Sequence, residues 1–473
     1  QKSEIMTTYD YIVYGNNTAA LVSAHELSKK NKIAIINPAP NWGAHFAGIT
    51  INETNFDIGM NFFEFTTFHK KNSDLLSYDP TRRNDSARFF DLAQKYICDQ
   101  IETVLVDKIE VFANEVFAED IIMANSLDIF KKLPNDLVSK IKSELEEIIK
   151  NGDKSLHASQ KKLNEKLFLN SSYFDVSMAN HGKTFHDLLI EPFCKKTFNM
   201  SSKDCPALLH RIAWTPLYYP ETLLNGINGI VDLNPTLFHY PKKGNFSAIT
   251  ESIFHKIKMS SNVTIISQKP ESLIKTDSYE FNFEDKKVST NKLIWCNDLQ
   301  SLLQVAHIDT QDITMEKASV SVVFCSTEFS NIKRQFSSLY VSDNGPLYRI
   351  TNQEYSAKIN NPEKVRLIFE FNLDVLNEFG LETNDKILEY LNHFLLKNNI
   401  LNNSLEIKNV SFKSLKNAVN MPTSNNLINF EMLLNIAQNK LSGIELIGPA
   451  SGFVSTSFND QIIQGLKIGQ KYN

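Results

Sequence analysis

The stretch from Tyr9 to Pro38, "YDYIVYGNNTAALVSAHELSKKNKIAIINP", constrains the chain more than any other. "YIVY" (Tyr11 to Tyr14) is a short apolar run, as in a parallel strand buried on both faces. Ala19, Leu21, Val22, Ala24 and Leu27 then recur at helical spacing over 18–30. "IAII" (Ile33 to Ile36) reads as a second strand, ended by Pro38. Strand, tight turn, helix and strand within about thirty residues form the unit with which dinucleotide-binding chains open.

The turn departs from the usual three glycines. The first makes the tight turn, the second lets backbone approach a pyrophosphate, and the third lets helix and strand pack closely. Here those places hold Gly15, Asn17 and Ala20. Ala20 is an accepted small replacement. Asn17 puts a side chain where phosphate would pass, although Asn tolerates left-handed backbone better than most residues. The free amides at the helix start remain an anion site. The second strand ends in Asn37, where an acidic residue would hold a ribose hydroxyl. A ligand-free structural turn accounts for these residues as well as a nucleotide site does.

A chain of 473 residues can build two or three domains around a large core. A net charge of −5 gives no reason to expect nucleic acid as a partner. The five cysteines (Cys98, Cys194, Cys205, Cys296 and Cys325) form no CxxC pair, and we expect reduced, mostly buried thiols. The histidines show no metal-ligand spacing, so no metal is expected. No apolar run approaches the roughly 20 residues that span a bilayer. The polar start "QKSEIMTT" leads straight into the first strand, so we expect no signal peptide, Met6 as the natural start, and a cytoplasmic protein.

Beyond the opening unit, 88–150 reads as mostly helical and polar, with an amphipathic helix at "DLVSKIKSELEEIIK" (Asp136 to Lys150). The polar stretch 151–160 reads as a loop or linker, and 186–193 as helix. From Asn262 the period changes to two, and "NVTIISQ", "YEFNFEDKKVS", "KLIWCN", "ASVSVVFCS" and "KVRLIFEFN" read as strands. Lys386 to Lys397 returns to helix, and the chain closes with a strand, a loop and a last helix. This alternation argues for an α/β fold with interposed β-rich segments.

Several later segments resemble the flavin-containing amine oxidase and protoporphyrinogen oxidase superfamily. "NWGAHFAGITINETNFDIGMNFFEF" resembles its second flavin-binding stretch: Gly43, Phe56, Asp57, Gly59 and Phe62 match, while Ala44, His45 and Asn61 replace the usual Gly, Arg and His. "HGKTFHDLLIEPFCKKTFNMSSKDCPALLHRI" is similar to a segment of the branch that includes UDP-galactopyranose mutase, matching at Gly182, Pro192, Phe193, Lys196, Phe198, Arg211 and Ile212. "YPKKGNFSAITESI", "PLYRITNQ" and "IGPASGFVSTSFNDQIIQGLKIG" resemble further family segments, in order. The resemblance runs from about Tyr9 to Gly469.

It implies a Rossmann-like FAD fold of the two-dinucleotide-binding-domain type, with a β-sheet substrate domain and a helical insertion. The FAD-binding part would be discontinuous (6–65, 225–300 and 430–473), with 66–224 as the insertion and 301–429 as the substrate domain. By the same resemblance Gly15, Asn16, Asn17, Thr18, Ala19 and Ala20 would hold the pyrophosphate and Asn37 the ribose. Trp42, Gly43, Ala44, His45, Gly59, Met60 and Asn61 would lie at the flavin ring, with packing as the other role open to Trp42. Gly448, Phe458, Asn459 and Asp460 would serve the ribityl end. His45, Arg211, Arg349 and Tyr348 are the catalytic candidates; each arginine suits a bidentate anion contact or an ion pair between domains.

Two readings of function follow. One is an FAD-dependent oxidoreductase, or a flavin-dependent sugar-modifying enzyme, acting on a nucleotide sugar or another anionic small molecule. The other is a flavin-free pseudoenzyme that acts as a protein-binding partner or scaffold. A homo-oligomer is compatible with both.

Overall fold

The computed structural model describes residues 6–66, 86–157, 170–210, 215–230, 237–310, 312–452 and 457–473. The chain is a mixed α/β structure. "YIVY" and "IAII" lie side by side and parallel, Tyr11 opposite Ile33 and Tyr14 opposite Ile36. Three distant segments complete this five-stranded sheet, in the order Val263–Ile266, Ile33–Ile36, Tyr11–Tyr14, Leu293–Trp295 and Glu445–Leu446. All of its pairings are parallel. The three central strands, Ile33–Ile36, Tyr11–Tyr14 and Leu293–Trp295, are almost wholly buried, which is why they are apolar rather than alternating.

The first helix (Thr18–Leu27) packs against the last helix (Phe458–Tyr472). Glycines set their separation. A Cβ on Gly465 would stand 2.6 Å from Val22 Cβ, and one on Gly469 2.7 Å from Glu26 Cβ. The last helix can therefore lie flush on the first only where side chains are missing.

A second, seven-stranded sheet runs in the order Val410–Asn420, Lys317–Glu328, Lys364–Asn372, Arg349–Asn352, Ser338–Val341, Ile109–Ala113 and Val116–Glu119. It is antiparallel except where Ser338–Val341 meets Ile109–Ala113. Its last two strands correct the expectation of a mostly helical 88–150. Helix occupies Ser86–Gln100 and Asn135–Asn151, but three short strands lie between, at Thr103–Leu105, Ile109–Ala113 and Val116–Glu119. Strands this short carry too few residues to show their period. "YEFNFEDKKVS" is a hairpin of two antiparallel strands. Of the polar stretch 151–160, residues 158–160 lie outside the described residues.

A helical layer (Asn135–Asn151, Tyr173–His181, Lys183–Phe198 and Pro220–Ile227) packs its own core against one end of this sheet. Lys196 ties the two together. It is buried, and its Nζ donates to the carbonyls of Val341 (2.8 Å), Leu347 (3.0 Å) and Asp343. No helix among the described residues is long and apolar enough to cross a membrane.

Candidate functional site

Gly15 adopts φ +137°, left-handed backbone that favours glycine. A Cβ there would meet Asn297 Oδ1 and Cys296 Cβ at 3.0 Å. Gly15 N–H donates to Ile36 O (3.0 Å), which ties the turn to the second strand. Asn17, by contrast, is extended (φ −76°, ψ 176°), so it needs no left-handed tolerance. It is the N-cap of the first helix: Oδ1 accepts from Ala20 N–H (3.1 Å), while Nδ2 donates to Cys296 O (2.5 Å). Ala19 N–H faces Gln461 Oε1 at 3.4 Å. Thr18 is fully buried, and its hydroxyl oxygen has no hydrogen-bond partner.

The neighbouring candidates are also engaged. Asn16 Nδ2 donates to Asn41 Oδ1 (2.8 Å), and Gly43 N–H donates to Asn16 O (2.7 Å), so the turn and the 41–43 loop brace each other. Asn37 is 2% exposed, donating to Asn41 O and accepting from Ala39 N–H, both at 2.9 Å. Gly448 N–H donates to Gln464 Oε1 (2.7 Å), and a Cβ on Gly448 would stand 3.3 Å from Asn17 Nδ2. Asn459 exchanges two hydrogen bonds with the Glu64 backbone, and Phe458 packs edge-on against Phe46 and Phe246. Asp460 accepts from Ser457 Oγ (2.6 Å) at the start of the last helix. Trp42 stacks on Phe254.

A second group forms where the 43–61 segment meets the seven-stranded sheet. Gly43 and Ala44, both at positive φ, lead into a single 3₁₀ turn, Ala44–Ala47, that carries His45. His45 is solvent-accessible, and the charges of Glu370 and Arg349 lie close enough to act on it. Displacement of water by the surrounding protein pushes its pKa down; the Glu370 carboxylate and a hydrogen bond with Asn61 act the other way. Asn61 is buried, and its Nδ2 has no partner among the described residues. Gly59 lies so close to Glu370 that a Cβ on it would stand 2.5 Å from Oε1. Met60, between them, is half-buried.

Arg349 and Tyr348 arrive from the sheet. Arg349 grips Glu370 bidentately, Nε to Oε2 at 2.5 Å and Nη2 to Oε1 at 2.8 Å. Its Nη1 faces Met123 Sδ at 3.8 Å. Burial works against the charge on Arg349, but Glu370 outweighs it and holds the pKa above its ordinary value. The Tyr348 hydroxyl donates to Glu370 Oε1 at 3.4 Å, and burial raises its pKa. Nearby, Asp120 accepts from the amides of Ile122 and Met123, and burial pushes its carboxyl up to about 6. His45, Asn61, Gly59, Arg349 and Tyr348 thus converge, while Arg211 lies outside the described residues. Glu370 is the member that sequence reasoning missed. Its signal was a lone carboxylate in the apolar strand "VRLIFEFN".

No protein-family model matches the chain, and no curated protein matches it by sequence. Solved structures do. One is reduced UDP-galactopyranose mutase, 15% identical, covering 98% of this chain and 94% of that one, with a TM-score of 0.70. A protoporphyrinogen oxidase-like protein from Exiguobacterium sp. 255-15 is 11% identical over 99% of both chains, with a TM-score of 0.64. Cyclohexylamine oxidase from Brevibacterium oxydans is 9% identical over 98% of both, with a TM-score of 0.59. The chain shares the fold of these structures over nearly its whole length.

Proposed function

We propose that this chain is a flavin-dependent enzyme, either an FAD-dependent oxidoreductase or a flavin-dependent sugar-modifying enzyme. The observation that carries this reading is the convergence of His45, Asn61, Arg349, Tyr348 and Glu370. A shared fold with a UDP-sugar mutase and amine oxidases supports it.

The residues at the ring end fit a flavin. Asn61 Nδ2 is a buried donor without a partner, a state that costs about 1–3 kcal/mol unless a ligand pairs it. A ring carbonyl is a suitable partner, and His45 leaves surface free beside it. We assign Gly43, Ala44, His45, Gly59, Met60 and Asn61 to the ring side. In our reading Gly448 and 458–460 line the ribityl end, and Asn37 and Gly15–Ala20 are the positions beside which the ribose and pyrophosphate would lie, their side chains being engaged within the protein. In the same reading the FAD-binding part of the chain is discontinuous, as the resemblance implies.

FAD held there would supply a hydride acceptor for a C–H bond or, in its reduced form, a nucleophile for a sugar carbon. The chain's own groups set the surroundings. A neutral His45, favoured by its depressed pKa, offers one ring nitrogen as donor and the other as acceptor. Arg349 Nη1, which faces Met123 Sδ with the Asp120 carboxylate nearby, is the donor left for an anionic substrate group once Glu370 has taken Nε and Nη2. Tyr348 and Glu370 fix that guanidinium in place. A nucleotide sugar or another anionic small molecule is the substrate class we assign.

The visible spectrum of protein purified without added cofactor, and again after incubation with FAD, tests this. Bands near about 370 and 450 nm that stay with the protein through gel filtration are expected. A colourless protein that takes up no flavin overturns the reading in favour of a flavin-free binding protein.

A further inference from the structure

The two ends of the cofactor region differ in kind. At the ring end His45 is accessible and Asn61 Nδ2 is unpaired. At the turn the chain supplies its own acceptors. Asn17 Oδ1 takes Ala20 N–H and Gln461 Oε1 faces Ala19 N–H. Gln464 Oε1, three residues further along the last helix, takes Gly448 N–H. Oxygen atoms at first-turn amides are what a phosphate would present there. Asn17 is also anchored from its other side by Nδ2 to Cys296 O and is only 7% exposed. A diphosphate at the Ala20 amide would have to displace Asn17 Oδ1, whose side chain is held from behind by Cys296 O.

We propose that the Asn17 and Gln461 side chains stand in for the diphosphate of the cofactor, so that this chain holds a flavin by its ring end and gains no affinity from the diphosphate and adenosine. The inference rests on the flavin reading. It makes the chain indifferent among flavins with different tails, whereas an open glycine turn would favour the dinucleotide.

The test is equilibrium titration of riboflavin, riboflavin 5′-phosphate and FAD, read by quenching of flavin fluorescence. It uses the wild type, Asn17→Gly, and Asn17→Gly combined with Gln461→Ala. The wild type is expected to bind all three flavins within about threefold of one another. Opening the turn should raise FAD affinity about tenfold or more and leave riboflavin unchanged, as expected for newly exposed amide donors meeting a charged acceptor. A wild type that holds FAD more than about tenfold tighter than riboflavin overturns the inference and leaves the flavin reading standing. Failure of every protein to bind any flavin overturns both. Gly is itself an accepted N-cap and the backbone at 17 is extended, so Asn17→Gly should fold. Should the variants not fold, the wild-type comparison decides alone.

Discussion

Arg349 and Glu370 stand directly opposite each other on neighbouring antiparallel strands, and two hydrogen bonds close the pair. Their side chains are 17% and 9% exposed, so neither charge is well solvated. Removing one partner from such a pair strands the other. Glu370→Ala should lower stability by about 3–5 kcal/mol, whereas Arg349→Met with Glu370→Leu should recover most of that loss. Urea unfolding of both proteins reads the difference; equal losses would mean that the pair is not a unit.

Gly59 makes a sharper probe of the same carboxylate. It sits at φ +81°, and a Cβ there would collide with Glu370 Oε1. Gly380 has a similar φ, +72°, with nothing within 4 Å. Alanine at 380 should cost only the left-handed penalty, about 1–2 kcal/mol. Alanine at 59 should cost at least about 1 kcal/mol more and perturb the Arg349 pair. Thermal or urea midpoints of the two variants measure the clash, and indistinguishable values would contradict the close approach.

Asp57 gives a pH dependence with a definite sign. Tyr240 Oη–H and Phe246 N–H donate to it, yet burial dominates and raises its pKa from 3.8 to about 6. The folded chain therefore binds more protons than the unfolded chain between those values. This contribution to stability is full below about pH 4 and is lost as pH rises through about 6. Asp57→Asn should reduce the slope of the stability profile in that window, leaving the contributions of Asp120 and Glu110, whose carboxyls are raised for the same reason. Urea midpoints at several pH values check it; unchanged slopes would place a charged Asp57 in the folded state at pH 4.

Lys196 is a structural cation. Burial lowers its pKa to about 7, but donation to three carbonyls favours the charged form, and we read it as an ammonium at neutral pH. Lys196→Met keeps the length and leaves the carbonyls of Val341 and Leu347 without this donor, a cost of about 1–3 kcal/mol or more. A loss under about 0.5 kcal/mol in urea unfolding would show that water replaces the ammonium.

Much of the fold is legible along the chain. The apolar runs at 11–14 and 33–36 can only be strands buried on both faces, and the small residues at 19, 20 and 24 only a helix that packs closely. The strands between 103 and 119 were not legible. At three to five residues they carry too little period, and pairing with Ser338–Val341 and Leu237–Pro241 decides them.

The candidate site divides along the same line. Sequence alone determined that position 17 carries a side chain where glycine is usual, and that His45, Asn61 and Arg349 are polar residues in otherwise apolar surroundings. Only the tertiary structure decided what they do. Asn17 turned out to cap the helix because Cys296 O, 279 positions away, takes its amide from behind. Arg349 is committed to Glu370 because strand register sets them face to face. Period and residue type are local and are written in order along the chain. Hydrogen-bond partners are fixed by which distant segments the folded core brings together.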